Sequence, residues 1–588
     1  MFNLITLNYR KIYELLPPHK RKQSIVIAFL LLVSSALDLL GLGALLPLII
    51  LVLDPEALNQ GSFFGDLYLK SGLSSTTMFL IVVSAIILLI VVLKNLMSVF
   101  IQYLLAKFTF SIQEHFSNLL LQKYFHRGLS FIKASNSNRV ARDVNGVPNK
   151  FSTNLLLPLL NLTNEVIIFG LIVIALLIYN PWVVGLVLLI VLPTFLIFYR
   201  FSKNKVQYYA ERMFEINPMI AKTLYESFFG YTDIKVSGTA KKFQADYEKN
   251  LHESLGFQVL NQTFKAAPTK VIETSMILGI LSIICFGLYY YDDRGSLLTL
   301  LSVFALVAYR VLPSANRLMI AVIEIRAHQY TLDVLDRVNN VYKEENQDPS
   351  PVKFHKEIQF NNVTFQFEDK EDLILDGLSL KIKKGERLGV IGKSGSGKST
   401  LMNLLLLFYE PSSGSINCDG LKLDISKQEA WRKLIGYVPQ EVFLNDGNIR
   451  ENVAFGVEEG DIHDALILQC LERASLKDLL DSLPDGIYSS IGERGSRLSG
   501  GQRQRLGIAR ALYFGAEILL FDEATSALDS GTEKEITDSI NKLAEEHITM
   551  LIIAHRITSL KHCSRIVEME EGKLVGEYSF EQLIKEYS

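Results

Sequence analysis

Along the chain, the spacing of apolar positions changes partway. From residue 24 to about 323 they gather in long unbroken runs. From about 354 onward they come in short bursts between polar residues and glycines. A helix needs about 20 predominantly apolar residues to cross the hydrocarbon core of a bilayer. Six stretches reach that length, at about 24–53, 76–106, 151–179, 182–202, 267–291 and 296–323. The third and fourth are parted only by "YNPW", where Asn180 and Pro181 predict a tight turn, and the fifth and sixth by "YDDRG". In the polar segments between the others, apolar residues recur every three or four positions, as in "FSIQEHFSNLLLQKYF" (Phe110 to Phe125). That period predicts amphipathic helical extensions reaching tens of ångströms beyond the bilayer. Short helices are expected at their tips, near Asn145–Lys150 and Phe228–Ile234.

Basic residues orient the helices. Arg10, Lys11, Lys20, Arg21 and Lys22 precede the first. Lys123, Arg127, Lys133, Arg139, Arg142 and Lys150 lie in the segment 108–150, and Lys203, Lys205 and Lys265 mark the ends of 203–266. The opposite side holds only Lys70 and Arg294. The N-terminus, both long segments and the C-terminal half are therefore expected in the cytoplasm. The polar stretch "YKEENQDPSPVKFHKE" carries two prolines and reads as a linker, giving domains at 1–340 and 354–588 joined by 341–353.

Composition narrows the choice further. Hydrophobic residues make up 49% of the 588, but the excess lies in the first domain. The formal net charge is −3, so no nucleic-acid partner is expected. Cys285, Cys418, Cys470 and Cys563 form no CxxC pair, which argues against a zinc site or redox couple. The first apolar run is too long for a signal peptide and no small-residue cleavage site follows it.

The chemistry is concentrated in the second domain. "GKSGSGKST" (Gly392, Lys393, Ser394, Gly395, Ser396, Gly397, Lys398, Ser399, Thr400) follows the apolar strand "RLGVI" and precedes the apolar helix "LMNLLLLF". Its glycines let backbone N–H groups wrap phosphates at a helix N-terminus. Lys398 is placed to reach the β- and γ-phosphates, and Ser399 to bind Mg²⁺. "ILLFDEATSALD" ends a second strand in two acids, Asp522 as a Mg²⁺ ligand and Glu523 as the group that polarises the attacking water.

With "LSGGQ" (Leu498 to Gln502), Gln440 in "YVPQ" and His555 in "IIAHR" in the same order, the segment 354–588 resembles the ATP-binding-cassette (ABC) superfamily. The resemblance implies two cassettes sandwiching two ATP molecules head to tail. Ser499, Gly500, Gly501 and Gln502 then serve the nucleotide of the opposite cassette. It further implies that Gln440 touches Mg²⁺ and the attacking water, that His555 meets the γ-phosphate, and that Asp529 lies at the dimer seam. Phe367 stands where the family usually has an adenine-stacking tyrosine. "IGERG" (Ile491 to Gly495) resembles the exporter loop ahead of the signature. The expected architecture is an α-helical six-span transmembrane domain of ABC exporter type followed by an α/β P-loop ATP-binding cassette. The resemblance makes it a half-transporter in the bacterial inner membrane, an ATPase using ATP and Mg²⁺, paired with a second copy of itself; a heterodimer is the alternative.

Charges inside membrane helices are functional by default. They are Asp38, Lys94, Glu165, Lys270, Glu273, Arg310, Arg317 and Glu324. Arg310 and Arg317 stand two turns apart, about 10 Å along one helix face. With Lys94 and Lys270 they suggest a cavity of uncompensated cations suited to a phosphate or pyrophosphate; the competing reading is that they pair with Asp38, Glu165 or Glu273. Asp38, Lys94 and "ALVAYRVLPSANRLM" resemble bacterial flippases for lipid-linked oligosaccharides, and "FFGDLYLKSGL" (Phe63 to Leu73) resembles their short external helix. Alternatives are a multidrug or lipid-A-like lipid exporter and a peptide exporter; with about twenty residues before the first helix an N-terminal peptidase domain is not expected, which weighs against the last without excluding it.

Overall fold

The computed structural model describes residues 2–43, 63–72, 75–135, 137–179, 181–290, 294–340, 348, 350–367, 372–524, 530–544, 547–554 and 556–587. The chain divides into two compact units, Met1–Arg127 with Phe131–Lys343, and Gly128–Ser130 with Glu344–Ser588.

The first unit is helical. Its long helices are Pro18–Gly43, Thr76–Phe125, Leu157–Tyr179, Pro181–Phe229, Ala240–Tyr290 and Arg294–His328. Among the described residues, Thr76–Phe125 and Ser137–Ile174 are long and apolar enough to cross a membrane by length and composition. Thr76–Phe125 has 50 residues, Pro181–Phe229 has 49 and Ala240–Tyr290 has 51, each more than twice what a bilayer requires. In the extension of the first of these, Ile101, Leu105, Phe108, Ile112, Phe116, Leu120 and Tyr124 are buried. Their three- and four-residue steps make one continuous stripe.

Of the two expected tips, one differs. Gly230 interrupts the helix at Phe229, and the short helix Tyr231–Val236 follows, with Phe228, Tyr231 and Val236 exposed. Residues 145–150, however, are no tip: Val147, Pro148 and Phe151 are buried. The chain turns earlier, at Gly128 (φ +74°), into the short helix Gly128–Ala134. Around 145–150 the backbone winds through two π-helical turns, Arg142–Gly146 and Phe151–Leu156, before Leu157–Tyr179. Pro148 and Pro158 lack the N–H that regular α-winding needs there.

The second unit holds two sheets. In chain order the strands are β1 (Glu357–Phe365), β2 (Leu375–Lys383), β3 (Arg387–Ile391), β4 (Ser413–Cys418), β5 (Leu421–Leu423), β6 (Ile435–Val438), β7 (Ile518–Asp522), β8 (Thr549–Ile553), β9 (Arg565–Glu570) and β10 (Lys573–Tyr578). β2-β1-β4-β5 form an antiparallel sheet, and β10-β9-β3-β8-β7-β6 a second one. In the latter, β9, β3, β8, β7 and β6 run parallel and β10 closes the edge antiparallel. The central strands are buried almost throughout, as expected of strands covered on both faces.

The helix Lys398–Leu405 leaves the end of β3 and is anchored at its far end. A helix C-terminus leaves carbonyls without intrahelical partners. Here the Trp431 indole N–H donates to the Leu405 carbonyl at 2.6 Å, while the Arg432 guanidinium donates to those of Leu406 and Leu407 at 2.8 Å each. Arg432 also suits the negative end of the helix dipole. Trp431 is fully buried. Trp431→Ala should therefore cost about 3–5 kcal/mol, and Trp431→Phe, which strands the Leu405 carbonyl, about 1–3 kcal/mol. Pulse proteolysis of the full chain across a denaturant series, read at the cassette's fragments, would show a smaller loss in the Phe variant; equal losses would mean that the indole N–H contributes nothing.

Candidate functional site

The phosphate loop lies between β3 and its helix, and its glycines answer to geometry. Gly392 has φ +149°, and a Cβ there would sit 2.2 Å from the Met569 carbonyl oxygen. Gly397 has φ +101°, and its Cβ would meet the Leu375 side chain at 2.7 Å. Only glycine fits both the backbone and the space. The hydroxyl of Ser396 is buried without a hydrogen-bond partner among the described residues. A cradle that excludes side chains and keeps an unpartnered buried hydroxyl fits a phosphate group. Lys398 is buried and donates to the carbonyls of Gly392 at 2.8 Å and Lys393 at 2.9 Å. Burial lowers its pKa, while Glu523 and Asp522 act in the opposite direction, so all three charges share one neighbourhood. Lys393 points away, pairing with Glu570 at 3.1 Å.

Asp522 ends β7 at the same end of the sheet. The Tyr437 hydroxyl on neighbouring β6 donates to its carboxylate at 3.3 Å, and burial, then the Asp522 charge, push the Tyr437 pKa up. Tyr437 was not among the residues expected at the site; its only sequence signal is its place three residues before Gln440. Glu523 has φ +51°, and its N–H donates to Ile553 at 3.0 Å. A non-glycine residue in this region stores about 1–3 kcal/mol of strain, as residues at functional sites often do. Ser399, Asp522 and Gln440 together offer hydroxyl, carboxylate and amide oxygens, a hard donor set that suits Mg²⁺.

Gln440, Glu523, Arg494 and Gly500 line one cleft of about 480 Å³; among its described lining residues none comes from 392–400. The signature opens the helix Gly500–Tyr513 with Ser499 as its N-cap. The Ser499 hydroxyl accepts from the Gln502 N–H at 3.2 Å, and the Gln502 side chain accepts from the Ser499 N–H at 2.8 Å. This capping box occupies the Gln502 carbonyl, which the family resemblance had directed toward nucleotide. Phe367 packs edge-on against Phe365 and Tyr409, with ring centroids 5.1 and 5.5 Å away. His555 and Asp529 lie outside the described residues, as does the Arg310 side chain.

In the first unit, the expectation of uncompensated cations does not hold for the described side chains. Lys94 pairs with Asp38 at 2.7 Å, Lys270 with Glu273 at 3.0 Å, and Arg317 with buried Glu165, which also accepts from Ser314. Lys265 pairs with Glu324 at 2.5 Å. Taking a charge out of water costs several kcal/mol unless a partner compensates it, so paired helices are the stable arrangement. Asp38, Asn164, Glu165, Arg317 and Glu324 nevertheless border a polar cavity of about 460 Å³, and the Arg317 side chain is 47% exposed.

The ABC transporter family model matches residues 375–526. The chain is 41% identical over 237 residues to the ATP-dependent lipid A-core flippase of Neisseria meningitidis and 44% identical over 230 residues to that of Ralstonia nicotianae. These alignments take in 40% and 39% of this chain and 38% of each relative, so the chain spans well under half the length of either. The ATP-dependent lipid A-core flippase of Francisella novicida is 30% identical over 426 residues, 71% of both chains. A solved bacterial Atm1-family ABC exporter with ATP bound superposes with TM-score 0.76 over 97% of this chain and 96% of its own, at 22% identity, a likeness of fold.

Removing one partner of a buried ion pair is costly because the other charge is left behind. Arg317→Ala, which strands buried Glu165, should destabilise the first unit by about 3–5 kcal/mol, Glu165→Ala by less because the Arg317 left behind is half-exposed, and the double variant by less than the two single losses added together. Thermal unfolding in lipid of all three variants and the parent completes the cycle; strict additivity would mean that the pair contributes nothing.

Proposed function

We propose that this chain, which belongs to the ABC transporter family, hydrolyses ATP to move a lipid across the membrane as one half of a homodimer. Its fold is that of an ABC exporter half-transporter, a helical transmembrane domain followed by a nucleotide-binding domain. The observation that carries the lipid reading is the length of the Francisella alignment. At 426 residues it cannot fit within 354–588, so the similarity extends into the half that handles cargo. The named activity of those relatives therefore supports a lipid rather than a peptide or a hydrophilic solute.

In this reading the transmembrane domain is 1–340, the linker 341–353 and the cassette 354–588, with the N-terminus and cassette cytoplasmic. Residues 392–400 hold the phosphates of the chain's own ATP, and Ser499, Gly500 and Gly501 serve the partner's. Ser399, Asp522 and Gln440 would hold Mg²⁺, which when bound would supply positive charge against the phosphates. Glu523 takes a proton from the attacking water, Lys398 and His555 offset the charge developing on the phosphoryl oxygens, and Phe367 lies at the adenine end. Closing the cassettes on two ATP molecules drives alternating access, and hydrolysis resets it.

The cargo is an anionic lipid-linked saccharide. Arg317 supports this: its half-exposed guanidinium borders the polar cavity even while paired with Glu165, and a planar fork of donors suits phosphate. Arg310 on the same helix completes the proposed cation set, whereas Lys94 and Lys270, paired with Asp38 and Glu273, drop out of it.

Two experiments test the reading. Glu523→Gln should bind ATP with its turnover reduced at least ~100-fold, as for loss of a general base; normal turnover in a Mg²⁺-saturated sample would reject that role. In vesicles, the wild type should flip a pyrophosphate-linked glycolipid or lipid A in an ATP-dependent manner, and Arg317→Lys, which keeps the charge but not the fork, should flip it about 10-fold more slowly with basal ATPase retained. Transport of peptides or cationic drugs with no lipid flipping would overturn the assignment.

A further inference from the structure

The helix Gly500–Tyr513, whose first turn carries the signature, lies against the segment that carries Gln440. Gln504, 6% exposed, donates from its side-chain nitrogen to two consecutive carbonyls, Pro439 at 3.2 Å and Gln440 at 2.5 Å. Carbonyl oxygens only accept, so the amide nitrogen must face them. One turn further on, Gly507 meets Val442 so closely that a Cβ would sit 2.8 Å from a Val442 methyl. Next, the Arg510 guanidinium donates to the Phe443 carbonyl at 2.9 Å. Residues 504, 507 and 510 share one helix face, and that face follows the chain from 439 to 443. The helix is thus fixed to this segment along its length and must move with it.

We propose that Gln504 is a positioning residue that couples the two ATP sites of the dimer. The proposal rests on the composite sites described above. Gln440 serves the chain's own nucleotide, whereas Ser499–Gly501 serve the partner's. Gln504 stands four residues from Gly500, about 6 Å along the axis. When Gln440 engages Mg²⁺ and nucleotide, a shift of the 439–440 backbone pulls on Gln504 and re-aims the N–H groups of the signature. Occupancy of one site is thereby reported to the other within a single rigid helix. The two donors matter because each addresses a backbone atom, which no rotamer change at Gln440 can evade.

The test measures ATPase rate against ATP concentration for the full chain in lipid vesicles at saturating Mg²⁺. The wild type should show a Hill coefficient above 1, and Gln504→Met, which keeps the length but loses both donors, should fall to about 1. Binding of a fluorescent ATP analogue should stay within about twofold, since the phosphate loop is untouched. Gln504→Asn keeps the amide but is one methylene short, and should lie between the two. A wild-type Hill coefficient of 1, or wild-type cooperativity in Gln504→Met, overturns the proposal. Should Gln504→Met fail to fold, Gln504→Asn decides by the same criterion, and wild-type cooperativity there overturns it. A wild type without ATPase activity would sink the transporter reading as well, whereas an active enzyme with unaltered cooperativity in the variants sinks the coupling alone.

Discussion

A phosphate can be held by backbone N–H groups only if the backbone itself is held, and the second unit is organised around that constraint. The glycines of the loop 392–397 have no side chains with which to brace themselves. The loop is confined by its neighbours, Met569 against Gly392 and Leu375 against Gly397, while its helix is gripped at the opposite end by Trp431 and Arg432. The buried strand β3 fixes the entrance. With its glycines so confined, the backbone of the cradle is held in place before an anion arrives, the condition under which electrostatic stabilisation is strongest; of the groups described, the Lys398 ammonium has to leave the Gly392 and Lys393 carbonyls to meet it.

The first unit obeys a different constraint. Charges among apolar helices must meet charges, and an ion pair between two helices also specifies that they are neighbours. Asp38 with Lys94 joins Pro18–Gly43 to Thr76–Phe125, Glu165 with Arg317 joins Leu157–Tyr179 to Arg294–His328, and Lys265 with Glu324 joins Ala240–Tyr290 to that same last helix. Apolar packing alone would tolerate sliding by a turn; these pairs would not. A polar cavity then remains where several paired groups converge, so the proposed recognition would draw on the same side chains as stability.

Much of this was legible in the sequence, for physical reasons that differ from place to place. The phosphate loop was readable because its glycine spacing coincides with a strand and a helix, and the long helices because hydrophobic runs need no partner to be recognised. The tip near 145–150 was misread: its polarity suggested an exposed turn, but Val147 and Phe151 are buried and two prolines re-register the winding. The pairing of the membrane cations could be raised from sequence but not decided, since their partners sit on other helices. Tyr437 and Gln504 left almost no trace. One reaches a carboxylate on a neighbouring strand and the other two main-chain carbonyls, and a hydrogen bond made across the fold has no period along the chain.

The left-handed backbone of Glu523 sets protein durability against turnover. A glycine at that position would relax the strain and on backbone grounds alone would be preferred, yet it carries no carboxylate. Selection for a hardier cassette and selection for a working one therefore pull this position in opposite directions, as expected where activity depends on a strained site. On the role proposed for Glu523, a screen that rewards heat resistance without demanding transport would erode this position, and the survivors would be well-folded chains that bind nucleotide and stall.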